Sequence, residues 1–166
     1  CHRLGYLGLR HVMTGELAAM TGVRLSVGAV REGWYCLDNR GGNGADLTID
    51  LECYPWPLPD SCAVQAFAGH VVNRINPARW GFVLWMNELW RLLVPNGELM
   101  IVSYYGTNSR YAADPAACNP LTEQTFYSFA PAHRSGLWQV YQPAPWQILS
   151  LSWAADGNLE AVLGKR

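Results

Sequence analysis

Short apolar runs that alternate with a long helical pattern constrain the fold of this chain most. Residues 47–49 and 64–68 are rich in strand-forming side chains, and a proline-rich turn separates them. A helical pattern follows at 77–93, and the Asn-Pro pair at its beginning is a typical helix start. A further apolar strand is predicted at 98–102. This alternation of strands and a helix is typical of an α/β fold.

Further strands are predicted on both sides of this central part. Two short apolar runs precede it, at 24–27 and 34–37. After it, the runs at 146–153 and 159–163 flank an Asp-Gly turn and predict a closing hairpin. We therefore predict an α/β, Rossmann-like sheet that is mostly parallel and has an antiparallel C-terminal hairpin.

The length of the chain fits one domain. We assign residues 1–166 to it, with 1–23 as an N-terminal extension whose structure the sequence does not define. Within that extension, the pattern at 17–20 predicts a short helix. Thr122 is expected to cap another short helix later in the chain.

Composition and charge exclude several classes of function. Twelve basic and thirteen acidic residues leave a net charge of −1, so we predict no nucleic-acid partner, because such proteins carry a basic patch or stripe. No run of about 18 apolar residues occurs, which predicts no membrane span. The five cysteines form no C-x-x-C pair and the histidines are scattered, so no metal site is predicted. Free thiols are typical of a reducing compartment, and we expect a cytoplasmic protein or one within a viral particle.

The middle of the chain also carries the motifs of a known family. A DL pair at 50–51 precedes the turn YPWPLPD at 54–60, and the helical pattern at 77–93 leads into ELWRLLVPNGEL at 88–99. This segment resembles the C-terminal half of the class I S-adenosylmethionine (SAM) methyltransferases, especially the small ones with such a turn. The resemblance covers roughly residues 25–163. It implies SAM as the cofactor and methyl transfer to an acceptor that the sequence does not identify.

The resemblance implies a cofactor site at the carboxyl ends of the strands, where ligands of open α/β sheets bind. Gly28 matches the first glycine of the family's cofactor loop, and Asp38 matches the acid that accepts from the ribose hydroxyls. Asp50 and Leu51 match the position beside the adenine. Each aspartate could instead start a turn. Val30 departs from the family's small loop residues, and its β-branched side chain resists a positive φ, so we expect weak SAM binding at best.

The resemblance also implies residues on the acceptor side. His70 follows the strand at 64–68, where relatives carry a histidine, and it is a candidate catalytic base or substrate contact. A hydrogen-bonded structural histidine is the alternative. Tyr54 and Trp56 in the aromatic turn, and Asp114 in an Asp-Pro element, are placed on the substrate side. Packing residues and a turn cap are the alternatives for these three.

Departures from the family pattern fall in functional positions, while the core pattern is kept. Asn73 and Arg74 stand where relatives carry an acid and a second histidine, and Ala117 stands at or near the histidine of the Asp-Pro element. This division favours a second hypothesis, a catalytically degenerate methyltransferase-fold module that is a structural or binding component of a larger assembly, for example a viral particle. Divergence toward another acceptor is a further alternative. A dinucleotide-binding Rossmann domain is disfavoured, because no G-x-G-x-x-G follows the first strand.

The helical pattern at 77–93 predicts which face meets the sheet. At 100° per residue, the face toward the sheet includes Phe82, Met86, Leu89 and Leu93, and the polar side includes Asn87, Glu88 and Arg91. Trp80 and Leu84 fall in the polar sector. An exposed apolar pair with a tryptophan predicts a contact with another chain, either a homo-oligomer or an assembly partner. The alternative is that residues 1–23 cover the pair.

Overall fold

The computed structural model describes residues 17, 19–41, 44–134 and 137–166. These residues form a sheet of seven strands in the order β3-β2-β1-β4-β5-β7-β6. The strands are β1 (Val23–Val27), β2 (Tyr35–Asp38), β3 (Leu47–Thr48), β4 (Ala63–Gly69), β5 (Leu93–Tyr104), β6 (Trp146–Trp153) and β7 (Asn158–Lys165). β7 pairs antiparallel with β5 and β6, and the remaining neighbours are parallel. The predicted fold class, a mostly parallel sheet with an antiparallel C-terminal hairpin, is confirmed.

The helices lie between and after the central strands. They are α1 (Gly81–Leu92), α2 (Ser109–Ala113), α3 (Glu123–Tyr127) and α4 (Trp138–Tyr141). Thr122 is the N-cap of α3, as predicted, and its backbone N–H donates to Thr125 Oγ1 at 3.2 Å. Most of the extension at 1–23 lies outside the described residues. Of the short helix predicted at 17–20, the described residues are 17, 19 and 20, and Met20 N donates to Leu17 O at 3.3 Å in a turn.

The core lies between α1 and one face of the central strands. The predicted inward residues of the helix are at most 8% exposed, and they are Phe82, Met86, Leu89 and Leu93. The facing strand residues are at most 2% exposed, and they are Leu25, Val27, Ala66, Ala68, Leu99 and Ile101. The 3.6-residue period therefore predicted the buried face correctly, because burial of an apolar stripe is what this period expresses.

The start of α1 differs from the prediction. The helix begins at Gly81, not at 77, since Arg79 and Trp80 have φ values of +52° and +63°. Left-handed residues interrupt a right-handed helix, so Trp80 does not follow the helical phase of Leu84. Both side chains are exposed, Trp80 by 57% and Leu84 by 45%, but they do not form the single helical stripe that the sequence predicted.

Glu88 also differs from its predicted place on the solvent side. Its carboxylate is buried and accepts from the Trp56 backbone N–H at 2.7 Å. Arg91 donates to both oxygens of Glu88, at 3.0 and 2.5 Å, and further to Leu58 O at 2.8 Å and Asp60 Oδ1 at 2.6 Å. A buried carboxylate is tolerated when it is paired and hydrogen-bonded in this way. This network holds the proline-rich turn against α1.

The connection between β1 and β2 is short. Residues 28–34 join two neighbouring parallel strands without a helix, although parallel strands usually need a crossover of a dozen or more residues. The strands overlap only from Leu25↔Tyr35 to Val27↔Leu37, so the chain has little distance to return. Arg31 packs its guanidinium over the rings of Phe67 and Trp34, at 4.1 and 4.6 Å from their centroids. The connection therefore starts at Gly28, at the carboxyl end of β1, and the contact of Arg31 with Phe67 holds it against β4.

Candidate functional site

A cleft of about 530 Å³ opens at the carboxyl ends of β1, β2 and β4. Strand order reverses between β1 and β4, and this switch point is where open α/β sheets bind ligands. The sequence-predicted residues that line the cleft are Gly28, Asp38, Asp50, Leu51 and His70. Arg74, which the resemblance placed at a functional position, also lines the cleft. Sequence reasoning did not place the other lining residues in a site, and they are Asn39, Arg40, Glu52, Gly69, Val71 and Ile75.

Gly28 lies where a side chain cannot. Its φ is +75°, and a Cβ there would lie 2.6 Å from the Cβ of Val71. The Gly28 N–H donates to Leu37 O at 2.8 Å, which fixes the start of the loop. Val30 does not adopt a positive φ, and its side chain is 53% exposed. The left-handed turn of this loop is therefore at Gly28 and not at Val30, as the β-branched side chain of Val30 leads us to expect. The weak SAM binding expected from this loop stays a prediction.

Asp38 and Asp50 each form a turn in which the carboxylate accepts a hydrogen bond from the backbone N–H two residues later. Asp38 is buried at the end of β2, and its Oδ1 accepts from Arg40 N at 2.9 Å. Asp50 is exposed, and its Oδ1 accepts from Glu52 N at 2.9 Å. Each aspartate therefore both forms a turn and lines the cleft, so the two interpretations of these residues are compatible.

His70 combines an unusual backbone with an unsatisfied ring nitrogen. It follows β4 with a φ of +56°, and its backbone N–H donates to Val102 O at 2.7 Å. Its ring lies 4.3 Å from the ring of Tyr104, and its buried Nδ1 has no hydrogen-bond partner in the described part of the chain. Burial lowers the pKa of His70, which Arg110 and Arg74 lower further and Asp156 opposes. The imidazole is therefore neutral at neutral pH and can accept a proton.

Asn73, which stands in place of an acid, fixes the segment after β4. It is 1% exposed, and its amide donates to Tyr104 O at 3.2 Å and Asn119 O at 3.1 Å, while Tyr104 N donates back at 3.1 Å. Asn119 in turn donates to the carbonyls of Val72 and Ile75. The signals in the sequence are a polar amide directly after two valines and its place at a functional position of the family pattern. Asn73 thus positions the cleft wall that includes His70.

Asp114 lies beside the cleft and reaches it through an ion pair. Its Oδ2 accepts from Arg74 Nε at 2.8 Å, and Arg74 lines the cleft. The backbone N–H of Ala116 donates to its Oδ1 at 3.0 Å. This hydrogen bond and then the Arg74 guanidinium hold the pKa of Asp114 below its ordinary value. The turn-cap interpretation is therefore met, and the carboxylate also joins two loops.

Tyr54 and Trp56 do not line the cleft. Trp56 is 2% exposed within the core, and the two rings lie 6.2 Å apart. The Tyr54 hydroxyl is buried, and this burial, followed by nearby carboxylates, raises its pKa. The structure places both residues among packing side chains.

In the described part of the chain, no helix has both the length and the apolar character that a membrane crossing requires.

Comparisons with known proteins agree with this architecture. A SAM-dependent methyltransferase from Mesorhizobium loti aligns with a TM-score of 0.59 and 9% identity over 92% of this chain and 95% of that chain. The 1,6-didemethyltoxoflavin-N1-methyltransferase of Burkholderia thailandensis, solved with S-adenosylhomocysteine, gives 0.58 and 13% over 92% and 76%. The [4+2]-cyclase SpnF gives 0.53 and 14% over 92% and 78%. The chain therefore has the class I methyltransferase fold.

Comparisons of sequence give a match that covers a minor part of the chain. No protein-family model matches the chain. The shikimate dehydrogenase (NADP(+)) of Nitrosococcus oceani is 32% identical over 62 residues, which are 37% of this chain and 22% of that protein. The match spans about a fifth of the dehydrogenase.

Proposed function

We propose that the chain binds SAM in the cleft at the ends of β1, β2 and β4 and transfers its methyl group to an acceptor. One observation supports this most. Gly28, Asp38, Asp50 and His70, predicted separately from strand ends, converge on one cleft at the switch point of a sheet whose solved neighbours include SAM-dependent methyltransferases.

Each residue has a defined part in this proposal. Gly28 presents its backbone to the amino-acid portion of the cofactor, since it lines the cleft, and its missing Cβ leaves room for the neighbouring Val71 side chain. Asp38 accepts from the ribose hydroxyls, and Asp50 with Leu51 lies on the adenine side. The bound cofactor supplies an activated methyl carbon, so the protein mainly aligns the acceptor and excludes water. His70 is the candidate base for the acceptor, because it lines the cleft and burial lowers the pKa of its imidazole, so that the neutral form prevails at neutral pH.

A second candidate function is a binding or structural module without turnover. Asn73 is occupied by its buried hydrogen bonds and Arg74 by Asp114, so neither replaces the acid and histidine of the family. The exposed Trp80 and Leu84 provide apolar surface for an assembly partner. SpnF, a cyclase, has a similar fold, and a fold alone does not fix the reaction.

Isothermal titration calorimetry with SAM and with S-adenosylhomocysteine tests the proposal. We expect micromolar to submillimolar binding of both, weakened about tenfold or more by Asp38→Asn. Glu98→Gln is the matched control, since Glu98 is exposed on β5 and does not line the cleft. Silence from both compounds would overturn the proposal and favour the assembly module. Binding without turnover over a broad acceptor panel would favour a module that binds SAM.

A further inference from the structure

A second concavity, of about 430 Å³, lies apart from the cofactor cleft and shares no lining residue with it. It runs between the start of α1 and the segments that carry α3 and α4. We name it the aromatic groove and define it by Trp80, Phe82, Phe129 and Tyr141. Its volume is in the range of small-molecule sites.

The rim of the aromatic groove is held in a strained backbone. Arg79 and Trp80 are consecutive left-handed residues, and Gly81 follows with no space for a side chain, since a Cβ would lie 2.0 Å from Asn76 O. On the opposite rim, Gln142 after Tyr141 has a φ of +44°. Left-handed conformations of non-glycine residues cost energy and cluster at ligand clamps. Here they place an indole at the mouth of the groove.

Trp80 exposes much of its apolar side chain to solvent. Its side chain is 57% exposed, and its ring meets Tyr141 edge-on at 5.9 Å. The groove floor is already packed, because Phe82 and Phe129 contact each other edge-to-face at 5.5 Å and are at most 8% exposed. Trp80, Tyr141, Phe82 and Phe129 thus line one cavity, in which an added ring would contact aromatic side chains.

The chemistry of the lining defines the ligand. No Asp, Glu, Lys, Arg or His is among the described residues that line the aromatic groove, so a charged ligand would lose its hydration without a partner. Uncharged polar side chains line it on both sides: Thr122, Gln124 and Ser128 on the side of α3, and Tyr141 on the side of α4. We propose that the aromatic groove binds an uncharged planar aromatic molecule that carries a polar group. This site is independent of the proposed cofactor cleft.

An NMR titration with 2-naphthol, which is neutral at neutral pH, tests the proposal on the full chain. We expect shifts of the backbone amides of Val83, Phe129 and Tyr141. The anion 2-naphthoate has the same rings, and we expect it to bind about tenfold more weakly or worse. Shifts confined to His70 and Leu51 would overturn the proposal, because they would report the cofactor cleft.

Variants of two equally exposed tryptophans provide the control. Trp80→Ala should weaken 2-naphthol binding about tenfold, and Trp153→Ala should change it less than about twofold, because Trp153 is 56% exposed but does not line the groove. Trp80→Phe keeps a ring and should retain most of the affinity, also if the alanine variant folds poorly. Unchanged affinity in Trp80→Ala would overturn the proposal. A wild-type oligomer that Trp80→Ala dissociates in sedimentation, with no 2-naphthol binding, would assign the surface to a second copy instead.

Discussion

Arg74 Nε donates to Asp114 Oδ2 across 2.8 Å and so ties the segment after β4 to the loop after β5. Arg74 lines the cleft at the ends of β1, β2 and β4, whereas Asp114 does not. A movement of the loop that carries Asp114 would therefore reach the cleft wall through this one ion pair.

This ion pair predicts a pH dependence of stability. The pKa of Asp114 is below the ordinary value of 3.8 in the folded chain, mainly through the Ala116 N–H and then through Arg74. Its contribution to folding is therefore present above 3.8 and is lost as the pH falls through the folded pKa. We expect Asp114→Asn to reduce the fall in Tm between neutral pH and about pH 3. Glu98→Gln should leave that fall as in wild type, and an identical fall in Asp114→Asn would contradict the prediction.

Alanine substitutions at two glycines with nearly the same φ distinguish the cost of backbone strain from the cost of a steric clash. Gly22 has a φ of +66° and no atom within 4 Å of the place that a Cβ would occupy, whereas a Cβ at Gly28 meets Val71 at 2.6 Å. Gly22→Ala should cost about 1 kcal/mol of unfolding free energy, because it has only backbone strain. Gly28→Ala should cost about 2–4 kcal/mol, because overpacking is added. Urea denaturation measures both values, and equal losses would show that the contact with Val71 relaxes freely.

Asn73 is expected to be the most sensitive polar residue near the cleft. Asn73→Ala leaves the carbonyls of Tyr104 and Asn119 and the N–H of Tyr104 without their partner. We expect a loss of about 3 kcal/mol, since each unsatisfied buried group costs about 1–3 kcal/mol. Asn39→Ala, at an exposed position, should change the unfolding free energy by no more than about 0.5 kcal/mol. A small loss at Asn73 would mean that water replaces its amide.

The left-handed backbone at Arg79 predicts a stabilising substitution. Arg79→Gly relieves a conformation that costs about 1–2 kcal/mol in a residue with a side chain, and it should raise the unfolding free energy by about 0.5 kcal/mol or more. Arg110→Gly is the same change inside α2, where glycine should cost about 1 kcal/mol. Opposite signs in thermal unfolding are the expected result. A loss of stability in both would show that Arg79 is not strained.

Sequence reasoning succeeded where a repeating rule governs the residue. Phe82, Met86 and Leu89 follow the helical period, and their burial was predicted from it. Asp38 ends a strand and Gly28 and Asp50 follow one, and parallel strands bring their carboxyl ends to one edge. These residues could be placed without knowing any individual contact.

Residues whose position depends on one distant contact could not be predicted. Glu88 is buried because the backbone of Trp56, 32 positions earlier, donates to it. Trp80 leaves the helical phase because Arg79 and Trp80 itself adopt a positive φ, which no apolar period in the sequence indicates. Arg74 reaches the cleft wall through the local turn after β4, which no period describes. Such contacts are specified by three-dimensional packing and leave no regular trace in the sequence.

The short overlap of β1 with β2 has a consequence for cooperativity. β2 pairs with β1 over three residues and with β3 over two, whereas β5 and β7 pair from Glu98↔Gly164 to Tyr104↔Asn158. We therefore expect faster hydrogen exchange in the flank formed by β2 and β3 than in β5 and β7, because fewer ladder pairs hold this flank. Asp38 ends β2 in this flank, and His70 follows β4 in the centre of the sheet. A ligand that bridges them would close the flank, so part of its binding energy would appear as amide protection far from the ligand itself.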